Sequence, residues 1–124
     1  MEINNPQVLA EVKALFKRYQ DAIISNDVSI LNDLFWNNEL TIRYGTAENL
    51  YGHAAIAAFR GTRTAAQHAR ETVQEIVTTY GRDAATTNME FTRGKRRGRQ
   101  TQTWVRMPEG WRIVSAHVSY MDEG

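Results

Sequence analysis

The stretch GRQTQTWVRMPEGWRIVSAHVSY, residues 98–120, decides the fold. It reads as two long strands joined by Met107-Pro108-Glu109-Gly110, where Pro and Gly punctuate a tight turn. Side chains alternate across a strand, so Trp111, Ile113, Ser115, His117 and Ser119 share one face of the second strand. Arg112, Val114, Ala116, Val118 and Tyr120 share the other. Neither face is wholly polar, which predicts a strand inside a sheet, covered by its own helices on one side and by a partner subunit on the other. If the Trp111 to Ser119 face is the inward one, it passes from bulky apolar residues to small polar ones. That is the pattern expected where a closed core gives way to a pocket.

Working outward, residues 69–80 and 84–93 give two more strand patterns, with turn signals at Gly81-Arg82-Asp83 and at residues 94–97. The first half of the chain is helical instead. Asn5 and Pro6 form a helix start, and Val8, Leu9, Val12, Leu15, Phe16, Tyr19 and Ile23 then recur at three- and four-residue spacing as one apolar stripe. A second short helix, capped by Asn26 or Asp27, carries Val28, Leu31, Leu34 and Phe35. Leu40 to Tyr44 reads as a short strand with Leu40, Ile42 and Tyr44 on one face and Thr41 and Arg43 on the other, stopped by Gly45. Residues 49–52 form a turn or brief strand, and residues 54–60 a helix packing through Ile56 and Phe59. Helices first and antiparallel strands later predict an α+β fold, with helices laid on one face of a curved meander. One domain over residues 1–124 is expected, because the length suits one core and not two.

Composition restricts the function. Fifteen basic and fourteen acidic residues leave a net charge of +1, which supplies no bulk field for nucleic acid or membranes. With no cysteine there is no thiolate nucleophile, disulfide or Cys-ligated metal. The first residues lack a signal-peptide pattern and no apolar run approaches a bilayer span, so a cytoplasmic protein is expected. Dinucleotide, Walker, zinc-protease and serine-hydrolase signatures are missing. His53, His68 and His117 are not at ligand spacing, so no metal site is expected. The basic run from Arg93 to Arg99 falls where two strands must turn and contains no aromatic, which favours a solvated hairpin over a phosphate contact.

A few residues remain as candidates for chemistry. Tyr19 lies on the apolar stripe, so its hydroxyl is either bonded in the core or directed into a cavity. Arg43, on a strand beside apolar residues, either snorkels outward or faces inward and needs an anion. His117 is a satisfied core histidine or a cavity-lining donor or base, with Ser115 and Ser119 on its face. Arg60, Arg63 and Arg70 have plainer readings as surface or salt-bridge residues near element ends.

Residues 40–45, 48–52, 58–60, 78–81, 98–106 and 108–119 together resemble the AtzH/HpxZ-like family of the SnoaL-like, or nuclear transport factor 2-like, superfamily. The resemblance extends over nearly the whole chain. It implies a cone-shaped sheet wrapped round the first helix, a homodimer formed through the sheet's outer face, and functional association with an amidase-signature enzyme. The implied activity is that of a decarboxylating amidohydrolase on a small anionic substrate, converting an N-carboxylated urea such as 1,3-dicarboxyurea to allophanate in cyanuric acid or related nitrogen catabolism. The family's catalytic tyrosine and arginine fall on Tyr19 and Arg43. His117, Ser115, Gln102, Trp104 and Arg60 are candidates for the remaining substrate-binding wall, and no metal or organic cofactor is required. Two other readings stand beside this one. The chain is a noncatalytic anion binder or amidase accessory, or it performs another SnoaL-like isomerisation or dehydration with His117 as base.

Overall fold

In the computed structural model, which describes residues 1–63 and 70–121, the apolar stripe becomes α1 (Pro6–Ser25). The Asn5 side chain accepts from the amides of Gln7 and Val8, and Pro6 occupies the first turn, where its missing N–H costs nothing. The two candidate caps divide their work. Asn26 closes α1 in the left-handed region at φ 53°, and Asp27 opens α2 (Val28–Leu34) by accepting from the Ile30 amide. Then follow β1 (Ile42–Tyr44), β2 (Asn49–Tyr51), α3 (His53–Arg60), β3 (Glu71–Tyr80), β4 (Ala84–Arg93), β5 (Arg96–Met107) and β6 (Gly110–Tyr120). The strand expected from residue 69 is described from Glu71; Ala69 and His68 lie outside the described residues.

The six strands form one curved, unclosed sheet in the order β2-β1-β6-β5-β4-β3. Strand β6 is therefore interior, as its two partly apolar faces predict. β3 to β6 form the antiparallel meander, while β1 returns to pair parallel with β6, setting Arg43 opposite Ala116. The stripe of α1 lies on the sheet's inner face. Val8, Val12, Phe16, Tyr19 and Ile23 pack there with Leu31, Leu34, Phe35, Ile56, Trp104 and Ile113 into one core. Among the described residues, no helix is long and apolar enough to cross a membrane.

The expected single inward face of β6 is corrected by a bulge. Thr103 pairs with Ser115 but Trp104 pairs with Ile113, so Val114 is an extra residue with no partner across the ladder. One inserted residue exchanges the faces beyond it. Trp111 and Ile113 point into the core; past Val114 the inward residues are Ala116, Val118 and Tyr120, and Ser115 and His117 are exposed on the outer face. In β1 the alternation is as expected, with the polar set inward. Thr41 is fully buried and its hydroxyl donates to the Trp36 carbonyl at 2.8 Å, while Leu40 is 68% exposed.

One glycine fixes the packing below this region. Gly98 is buried opposite Tyr120, and a Cβ there would run into the ring of Phe91, which packs against Tyr120 at 6.2 Å between centroids. Gly98→Ala is therefore expected to destabilise the fold by about 1–3 kcal/mol, because the overpacked ring must shift. Urea unfolding of the two chains measures this, and an unchanged midpoint would contradict the packing described.

Candidate functional site

Beneath the C-terminal half of α1 the apolar core gives way to a narrow cavity of about 40 Å³. Six of the nine described elements supply part of its wall: Tyr19 from α1, Arg43 from β1 with Glu48 from the turn after it, Phe59 and Arg60 from α3, Phe91 and Arg93 from β4, Gln100 from β5, and Val118 and Tyr120 from β6, joined by Arg63 after α3 and Arg70 before β3. The volume holds roughly three waters. A dicarboxylated urea is larger, so it would have to displace side chains of the arginine wall.

Tyr19 is buried against Phe16 and Phe35, with ring centroids 6.3 and 6.5 Å away, and its hydroxyl donates to Gln100 Oε1 at 3.3 Å. The same oxygen accepts from Arg70 Nη1 at 3.4 Å, and Arg70 Nη2 donates to Gln20 Oε1 at 2.8 Å. Arg43 reaches Glu48 through one nitrogen, Nη1, at 2.8 Å and lies 5.1 Å from the Phe59 ring centroid. Space for the Glu48 carboxylate comes from Gly45, where a Cβ would collide with it. Arg60 is 1% exposed and lies 5.5 Å over Phe35, yet none of its three guanidinium nitrogens has a hydrogen-bond partner among the described residues. Gln100 Nε2, Arg63 Nε and Arg93 Nε are likewise buried without partners among the described residues.

Among the described residues the cavity therefore gathers five arginines and a single carboxylate, and its unmet groups are donors. A buried guanidinium without an acceptor is costly, and an anion relieves the cost. The field also acts on the phenol. Burial pushes Tyr19 up, but Arg60, Arg70 and Arg43 together outweigh it and hold Tyr19 below the usual tyrosine value. Burial lowers Arg60 and Arg70 in turn, with Tyr19 opposing the shift in both. An acidified phenol beside unpaired guanidinium groups can bind a small anion and pass it a proton.

Of the residues singled out from sequence, Tyr19, Arg43 and Arg60 meet at this cavity. The surface or salt-bridge reading of Arg60 is corrected: the last turn of α3 directs it inward, and it has no ion pair among the described residues. Arg70 is likewise held at the wall. Gln102 and Trp104 share the inward face of β5 but lie deeper, in a polar chain within the core. Trp104 Nε1 donates to Thr87 Oγ1 at 3.1 Å, and that hydroxyl donates to Gln102 Oε1 at 3.0 Å. Ser115 and His117 are corrected to the opposite side of the sheet by the Val114 bulge, and His117 packs edge-on against Tyr44 at 5.7 Å. Gln100, Glu48 and Arg93 went unrecognised. The alternation Gly98, Gln100, Gln102, Trp104 along β5 contained the signal for Gln100, whose phase follows from Trp104 being core.

A larger depression of about 480 Å³ has Arg18, Asp33, Trp36, His53, Glu109 and Arg112 in its lining. Its charges are of both signs, and Arg18, Asp33 and Glu109 are exposed, so it makes no comparable demand for a ligand. The small cavity is the candidate site on that physical ground. Among the described residues, no three His, Cys, Asp or Glu side chains group closely enough to hold a metal ion.

An α+β cone of this kind is shared by nuclear transport factor 2-like and cystatin-like proteins, including one from Salmonella enterica at 25% identity, covering 95% of this chain and 94% of that one, with a TM-score of 0.77. Higher similarity is found to a protein of unknown function from Pectobacterium atrosepticum (52% identity, 97% and 95% of the two chains, TM-score 0.94). A cystatin-like fold protein from Burkholderia xenovorans is 42% identical over 100% and 99% of the chains, with a TM-score of 0.93. No curated protein matches the sequence. The AtzH-like family model matches residues 1–124, and the chain belongs to that family.

The unmet donors lead to a stability prediction. Arg60→Met should stabilise the ligand-free chain by about 1 kcal/mol or more, since it removes a buried unpaired charge, and should abolish stabilisation by malonate. Thermal unfolding with and without malonate measures both, and a variant that is less stable but still responds to malonate would contradict the assignment.

Proposed function

We propose that this protein is an enzyme that removes the terminal N-carboxy group of an N-carboxylated urea, 1,3-dicarboxyurea yielding allophanate and carbon dioxide. The observation that supports this reading is the ring of guanidinium and amide donors without acceptors around one acidified phenol. The substrate is a small planar dianion, and a guanidinium holds a carboxylate through paired donors. The departing carboxylate loses its charge as the bond breaks, so a guanidinium clamped on it would favour the ground state. The donors serve better elsewhere. Arg43 holds the retained carboxylate, while Arg60 faces the urea carbonyl oxygen, where charge accumulates.

In the chemical step the bond between nitrogen and the terminal carboxylate breaks, its electron pair stays on the urea, and carbon dioxide leaves. The Tyr19 phenol delivers a proton to that nitrogen and is reprotonated from solvent. Dianion plus one proton thus gives the allophanate monoanion and carbon dioxide. Noncatalytic anion binding is the second reading, favoured by a wall of five arginines against one carboxylate, which would hold an anion whether or not it reacts.

Tyr19→Phe should lower turnover of 1,3-dicarboxyurea about 10²- to 10³-fold, and Arg43→Ala at least as far, both remaining folded. The phenol must carry its proton, so the rate falls as pH rises through a Tyr19 pKa below the usual value near 10; Tyr19→Phe lacks that alkaline limb. Steady-state rates between neutral and alkaline pH measure this. Unchanged rates in both variants would remove the site assignment, and malonate binding without turnover would favour the noncatalytic reading.

The same reading includes a homodimer through the sheet's outer face. Tyr51 is 61% exposed there, its hydroxyl 3.5 Å from that of Tyr44, which in turn packs on His117. Sedimentation is expected to give twice the chain mass, and Tyr51→Glu to shift it toward the monomer. A monomeric parent chain would exclude the dimer.

A further inference from the structure

The net charge of +1 conceals a local concentration of positive charge. The β4–β5 hairpin turns at Gly94, φ +60°, and places Arg93, Lys95, Arg96 and Arg97 around one tip. Two contacts join this tip to the cavity. Arg93 lines the cavity wall, and the Arg96 guanidinium sits 3.6 Å from the ring centroid of Tyr120, another wall residue. A third link is an open groove of about 460 Å³, bounded by Ile24, Glu71, Thr92 and Gly94, that ends on Arg70. Arg70 also lines the cavity, so groove and site share this side chain.

We propose that this hairpin and groove are the approach path for the anionic ligand, with Arg70 as the side chain that receives it. The inference rests on the anion-site reading above and adds the route and the groups that serve it. Among the described residues, two acidic groups lie here: Glu71 borders the groove and Glu90 is 3.7 Å from Arg97, while Lys95 and Arg96 have no carboxylate partner. The groove's own lining carries one charge of each sign, Arg70 and Glu71, so the positive excess comes from the hairpin tip beside it; such an excess raises the encounter rate of an anion, and salt removes the effect. Arg70 is held by Gln20, by the Gln100 oxygen that also receives the Tyr19 hydroxyl, and by the Phe91 ring at 4.6 Å. Those neutral partners are ones a carboxylate can displace, so the guanidinium can turn from groove to cavity with the anion on it.

The test uses the full chain and a Lys95→Gln/Arg97→Gln double variant, neither position lying in the cavity wall. The probe is ¹³C-labelled malonate, with association and dissociation rates read by NMR exchange. At an ionic strength of about 0.01 M the association rate should fall roughly three- to tenfold in the variant while dissociation is unchanged. At about 1 M the two chains should agree. An unaltered association rate, a loss that persists at high salt, or a change carried by dissociation would overturn the approach path alone. Failure of the parent chain to bind malonate would overturn the anion-site reading and this inference with it.

Discussion

The structure turns on a buried guanidinium that no acceptor among the described residues satisfies. Arg60 is held at 1% exposure over Phe35, close enough to Tyr19 to shift the phenol's titration, and its nitrogens find no acceptor among the described residues. A fold under selection for stability alone would replace such a group with an apolar one of similar size. The surrounding arrangement reads as a response to that charge. Tyr19 is acidified by it, Gln100 turns its carbonyl oxygen to the phenol and to Arg70, and the single carboxylate, Glu48, sits on Arg43 at the rim. The unmet donors of the cavity and the anion binding proposed for it rest on one electrostatic arrangement.

Local features of the sheet make that cavity possible. Val114 adds one residue to β6 and thereby moves Ser115 and His117 outward and Ala116, Val118 and Tyr120 inward. Gly98 makes room for Phe91, and Phe91 carries both Tyr120 and Arg70 on its ring. Gly45 likewise leaves the space that the Glu48 carboxylate fills. Two missing side chains and one extra residue thus set the composition of the wall.

The fold alone says little about chemistry. An isomerase that abstracts a proton from its substrate needs a base in the interior of such a cone. Among the described residues the one carboxylate at the wall, Glu48, is engaged by Arg43, and His117 lies on the outer face. The donor-rich cavity favours holding and protonating an anion over abstracting a proton from a neutral substrate.

Much of the architecture was legible in the sequence because it depends on neighbours a few residues apart. The stripe from Val8 to Ile23, the caps Asn5 and Asp27, and the turn residues around Gly81, Gly94 and Pro108 each have a local cause, and together they determined the order of helices and strands. The residues of the AtzH-like pattern likewise drew Tyr19 and Arg43 out of the sequence before their surroundings were visible. What only the tertiary structure decided was phase and company. Whether His117 or Val118 faces inward depends on how β6 pairs with β5 across one bulge, and whether Arg60 is a surface cation or a buried one depends on what α3 packs against. Both are long-range outcomes. A strand's two faces are interchangeable in a period-two pattern until a partner sets the register, and a guanidinium has no fixed role until the fold determines how much water it keeps.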